Sequence, residues 1–87
     1  MVCKKVNVNL KFGLHARPAG VLAKLAQGFQ SDVTMKGNGK SVNAKSIMGV
    51  LSAGVQSGAE VEFICSGDDE TKALQDIVAG VQNGLGD

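Results

Sequence analysis

Residues 2–29, VCKKVNVNLKFGLHARPAGVLAKLAQGF, change their apolar period once, and the place where they change it decides the fold. Val2, Val6, Val8 and Leu10 stand at even positions, with Asn7 and Asn9 interleaved, which is the alternation of a strand buried on one face. Cys3 then points outward. From Ala16 to Phe29 the apolar residues Ala19, Leu22, Ala23, Ala26 and Phe29 are spaced for the most part three or four apart, as an amphipathic helix requires, with Gly28 near its end. Gly13 breaks the strand pattern between the two. A half-buried strand that runs straight into an amphipathic helix predicts a sheet covered by helices.

The rest of the chain repeats this logic. Asp32-Val33-Thr34-Met35 alternates, and Val42 and Ala44 resume after Asn38-Gly39, a dipeptide that accepts the positive φ angles of a tight hairpin. Ser46 to Gly54 is a short apolar segment with a capping serine at its start and a glycine at its end, which predicts one or two helical turns. Residues 60–65 form a fourth strand with Val61, Phe63 and Cys65 inward. The run Asp68-Asp69-Glu70 caps and charges a last helix whose stripe is Ala73, Leu74, Ile77, Val78, Val81 and Leu85. The order βαββαβα predicts an α+β open-faced sandwich: a four-stranded antiparallel sheet with three helices on one face, in a single domain spanning residues 1–87.

Composition narrows the function. A chain of 87 residues, 44% apolar and 20% charged, has room for one core and no second domain. Without an apolar run near the ~18 residues of a membrane span, or a signal-peptide core after Met1-Val2-Cys3-Lys4-Lys5, no membrane insertion and a cytoplasmic location are expected. Cys3 and Cys65 belong to no CxxC or Cys/His cluster, so neither a disulfide scaffold nor a metal site is expected, and no cofactor. The net charge of +1 conceals a division. Residues 1–59 carry eight cations against Asp32 alone, a net +7; residues 60–87 carry Lys72 against seven acids, a net −6. The basic part suits acidic partners or phosphate. With one Arg, three Phe and neither Tyr nor Trp, the chain lacks the stacking groups of a nucleic-acid reader.

The only His, the only Arg and the only Pro lie together in His15-Ala16-Arg17-Pro18, where strand pattern gives way to helix. Pro18 in the first turn gives up an N–H that would lack an intrahelical acceptor anyway. His15 falls at or near the N-cap, and the backbone N–H groups of Ala16 and Arg17 present the positive end of the helix, a place for an anion. A ring nitrogen of His15 could receive a phosphoryl group there, held by those N–H groups and the Arg17 guanidinium. The same residues also fit an ordinary surface helix start, and nothing local names a donor or an acceptor.

Gly13-Leu14-His15-Ala16-Arg17-Pro18-Ala19 resembles the active-site motif of HPr, the histidine phosphocarrier of the bacterial phosphoenolpyruvate:sugar phosphotransferase system. Lys45-Ser46-Ile47-Met48-Gly49-Val50 is similar to the family's second motif in its Gram-positive-type form, and the element order agrees along the whole chain. The resemblance implies that His15 takes a phosphoryl group from enzyme I, usually on Nδ1, and passes it to enzyme IIA domains, with Arg17 steadying the phosphohistidine. Such a chain is a stoichiometric carrier and not an independent catalyst.

Ile47, Met48 and Leu51 then read either as core packing or, by resemblance, as a docking patch with Ile47 and Met48 partly exposed and Val50 inward. Lys24 and Lys45 are candidate contacts to acidic partner residues. Ser46 stands at an expected N-cap; in members with this motif it is also the regulatory site of HPr kinase/phosphorylase, and its phosphorylated form binds a catabolite control protein. Transfer between partners suggests a monomer. Phe12 and Gly20 depart from common family forms, as do Leu51 and Ala53. A related paralogue, the catabolite repression HPr-like protein, lacks the active-site histidine that this chain has at position 15. Two other readings stay open: a regulatory module working through Ser46, and a nitrogen-branch carrier.

Overall fold

The alternation at the start of the chain forms β1 (Val2–Asn7), and the chain continues through α1 (Ala16–Gln27), β2 (Asp32–Gly37), β3 (Lys40–Asn43), α2 (Ile47–Ser52), β4 (Glu60–Ser66) and α3 (Glu70–Gln82). This is the computed structural model of the protein, and it describes residues 1–86. The four strands lie in the order β1-β4-β2-β3, every neighbouring pair antiparallel. The predicted βαββαβα sandwich is therefore the observed fold.

Register explains the core. β4 is central, and its inward residues Val61, Phe63 and Cys65 face Val6, Lys4 and Val2 on β1, while Phe63 and Cys65 face Met35 and Val33 on β2. Phe63 and Met35 are fully buried, with Leu22 and Ile77 contributed by the helices. α3 packs on β1 and β4, and α1 packs against α2 and α3. The hairpin joining β2 to β3 pairs Gly37 with Lys40, and Asn38 and Gly39 take φ values of 53° and 75°, as their dipeptide requires.

Several boundaries differ from the periodic reading, among them the end of α3, which stops at Gln82 and leaves buried Leu85 beyond it at φ 47°. The ladder of β1 stops at Asn7, yet Val8 and Leu10 remain buried. Val8 pairs instead with the loop before β4: its N–H donates to the Ala59 carbonyl at 2.8 Å and its carbonyl accepts from Gly58 N–H at 2.7 Å. α1 ends at Gln27 with Gly28 as a right-handed C-cap, so the half-buried Phe29 packs on the core from beyond the helix.

The acidic run before α3 works differently from a simple cap. Asp69 occupies the N-cap, but its carboxylate makes no hydrogen bond to its own helix. It accepts from the hydroxyl and N–H of buried Ser31 and from Gln30 N–H, the two backbone bonds being 2.9 Å each. The Ser31 hydroxyl, then Gln30 N–H, hold the Asp69 carboxyl below the usual carboxylate range. A carboxylate whose folded pKa is depressed stabilises the fold above its unfolded pKa of about 3.9, and that contribution disappears as pH falls through the folded value. Asp69→Asn should lower Tm by a few degrees at pH 6–7, with the deficit shrinking below about pH 3. Thermal melts followed by circular dichroism across this range check it; a deficit that is the same at every pH would show that the carboxylate charge is not what the loop uses.

Candidate functional site

The turn before α1 is fixed by backbone alone. Gly13 adopts φ 71°, its N–H donates to the Leu10 carbonyl at 3.0 Å, and Leu14 N–H donates to the Val55 carbonyl at 3.0 Å. A Cβ on Gly13 would lie 2.5 Å from the Val55 oxygen and 2.8 Å from Gln56 Cα. Leu14 is buried, so the chain is anchored on both sides of the turn. His15 follows as the N-cap residue, in extended conformation (φ −79°, ψ −173°), and its carbonyl accepts the first helical bond from Ala19 N–H at 2.9 Å.

Around His15 the structure brings together more than the sequence reading named. His15 is half-buried, Ala16 and Arg17 are exposed, and Pro18 is buried in the first turn. The Phe12 ring stands edge-on to the imidazole, with centroids 6.0 Å apart and planes at 75°. Lys11 Nζ lies 5.4 Å from the centroid of the Phe12 ring, within cation–π range. Lys11, Phe12, His15, Arg17 and Gly86 line an open depression of about 340 Å³. Lys11 was missed as a site residue, and Phe12 was noted only as a departure from family form. The available signal was a large aromatic residue three positions before the only histidine.

The second cluster surrounds the start of α2. Ser46 is its N-cap, and the half-buried hydroxyl accepts from Gly49 N–H at 3.0 Å. A Cβ on Gly49 would lie 3.1 Å from the Asn43 carbonyl oxygen and 3.4 Å from Ser46 Oγ, so glycine lets this corner close. Met48 is 75% and Ile47 45% exposed, whereas Val50 is buried and Leu51 is half-buried against the core. The apolar patch therefore consists mainly of Ile47 and Met48. Lys24 is exposed in the last turn of α1. Lys45 is half-buried: its ammonium donates to the Phe29 carbonyl at 2.9 Å, and its own carbonyl accepts from Gln27 Nε2 at 2.9 Å. Lys45 thus ties the end of α1 to the start of α2.

Cys3 is exposed and Cys65 buried, both as free thiols, and burial pushes the Cys65 thiol up. Among the described residues no group of three or more His, Cys, Asp or Glu could hold a metal ion, and no helix is long and apolar enough to cross a membrane.

A family model described as the phosphorylation site of the HPr component of the phosphotransferase system matches residues 2–83. The chain belongs to the HPr family. The HPr-like protein Crh of Bacillus subtilis strain 168 is 51% identical over 82 residues, which are 94% of this chain and 96% of Crh. HPr from Thermoanaerobacter tengcongensis superposes with a TM-score of 0.95 at 38% identity, over 100% of this chain and 98% of that one. A crystal structure of B. subtilis Crh matches with a TM-score of 0.77 at 50% identity, over 97% of each chain, and is described as a domain-swapped, intertwined dimer. A T. tengcongensis HPr dimer matches as well, with a TM-score of 0.79 at 40% identity, over 97% of this chain and 99% of that one. HPr-family chains thus assemble in pairs in at least two relatives, and this counts against the expectation of a monomer.

Proposed function

We propose that this chain is a stoichiometric phosphoryl carrier of the sugar phosphotransferase system, acting as one domain in the cytoplasm. The observation that carries this reading is the placement of His15 at the N-cap of α1, over an open depression also lined by Arg17 and Lys11. A ring nitrogen of His15 takes the phosphoryl group from enzyme I; the N–P bond forms as the donor's bond to phosphorus breaks. The dianion is then held by the Arg17 guanidinium and by the first-turn N–H groups of Ala16 and Arg17. A shallow site suits a carrier, because the group must remain open to in-line attack by an enzyme IIA domain. Ile47 and Met48, with Leu51 beneath, form the docking patch, and Lys24 contributes charge. Lys45 acts mainly by holding the α1–α2 corner, its ammonium being occupied by Phe29.

Ser46 is the regulatory position in this scheme. Phosphorylation by HPr kinase/phosphorylase would place about two negative charges beside Ile47 and Met48 and repel an acidic partner. A second reading makes this the whole function: a regulatory module that, with Ser46 phosphorylated, binds a catabolite control protein. The 51% identity to Crh favours it; the histidine at position 15 favours the carrier.

Incubation with enzyme I, magnesium and phosphoenolpyruvate separates them. The carrier reading expects an acid-labile phosphate that maps to His15 and disappears in His15→Ala. No label from an enzyme I that is active on another HPr, together with efficient Ser46 phosphorylation by the kinase, would replace it with the regulatory module.

A further inference from the structure

Phe12 is 70% exposed, next to a turn that has no freedom. An aromatic ring left in water gains nothing from the core, so its contacts must account for its place. Among the described residues its ring meets the His15 imidazole edge-on and lies under the Lys11 ammonium. Both contacts bear on a backbone fixed by the Leu14–Val55 hydrogen bond and by the lack of room at Gly13. The ring is thus carried on a rigid base, on one side of the imidazole, within the depression that Arg17 also lines.

We propose that Phe12 is a positioning residue for His15, biasing the imidazole toward one rotamer for phosphoryl transfer while Lys11 steadies the Phe12 ring. This rests on the carrier reading for its use, but the contact itself does not. The side chain of an N-cap histidine turns about two bonds, and only some of its rotamers present the accepting nitrogen to an incoming phosphorus. Restricting them before the donor arrives removes an entropic cost from the transfer step. An edge-to-face aromatic pair is expected to bias such a rotamer equilibrium by roughly three- to tenfold. Lys11 and Arg17 then place two cations on the same depression, so the ring is fixed where positive charge is concentrated.

The test uses the whole protein with Phe12→Leu, Phe12→Tyr and Lys11→Met. NMR measures the His15 side-chain couplings and ring-proton shifts without phosphate, and circular dichroism checks the fold. Initial rates of His15 phosphorylation are then compared with enzyme I and with phosphoramidate, a small donor that needs no docking surface. Phe12→Leu should shift the His15 couplings toward a more even rotamer mixture, move its ring protons and slow both donors about three- to tenfold. Phe12→Tyr should restore all of these, and Lys11→Met should give a weaker version of the loss. Unchanged couplings would overturn the proposal, and so would a loss confined to enzyme I, which would make Phe12 a docking contact. If enzyme I fails to label even the unaltered chain, the carrier reading falls, while the couplings still decide whether Phe12 positions His15.

Discussion

Gly13→Ala is expected to lower the unfolding free energy by at least about 3 kcal/mol, because three costs fall on one methyl group. An L-residue held at φ 71° sits in the left-handed region, at about 1–2 kcal/mol. The new Cβ, 2.5 Å from the Val55 oxygen and 2.8 Å from Gln56 Cα, meets backbone that cannot rotate away. Relief requires the turn to move off the 54–59 loop, which breaks the Leu14–Val55 hydrogen bond and strips buried Leu14 of part of its cover. For a domain of this size such a loss should lower Tm by well over 10 °C. Urea unfolding measures the free energy, and a Tm within two or three degrees of the unaltered chain would mean that the turn is soft. A soft turn would also undercut the rigid base assigned to Phe12, so the result bears on His15 as well as on the fold.

Periodicity made the sheet and the helices legible because burial on one face forces period 2 in a strand and period 3.6 in a helix. Val61, Phe63 and Cys65 on β4 and the hairpin at Asn38-Gly39 followed from local pattern alone. The clustering of His15, Arg17 and Pro18 pointed to α1's start for the same reason: a helix end has its own residue preferences. Contacts between distant residues left no such trace. Asp69 reaches Ser31 38 positions away, and Lys45 reaches Phe29 16 positions away. Each is a polar side chain satisfying backbone groups that only the folded chain brings near, so sequence alone suggested a cap for one and a contact to acidic partner residues for the other. Lys11 and Phe12 were obscure for a related reason. They lie between elements, where neither period applies, and only the turn at Gly13 sets them beside His15.

Met48→Asp should separate docking from chemistry. The side chain is 75% exposed on the first turn of α2, so removing it opens no cavity, and an acid near a helix N-terminus is favoured by about 0.3–1 kcal/mol. Stability should therefore hold or rise slightly. For a protein partner the change is severe, since it removes the most exposed apolar side chain of α2 and puts a negative charge where an acidic surface is expected to land. Loss of a hot-spot contact of this kind corresponds to roughly ten- to thirtyfold in affinity, and the rate of His15 labelling at low enzyme I should fall in proportion. Phosphoramidate, which docks on nothing, should label Met48→Asp at the unaltered rate. Phe12→Leu predicts the opposite division, both donors slowing together, so the pair of variants distinguishes the surface that captures the donor from the ring that aims the acceptor. Equal rates with enzyme I would remove Ile47 and Met48 from the docking surface, and an unfolded Met48→Asp would return Met48 to the core.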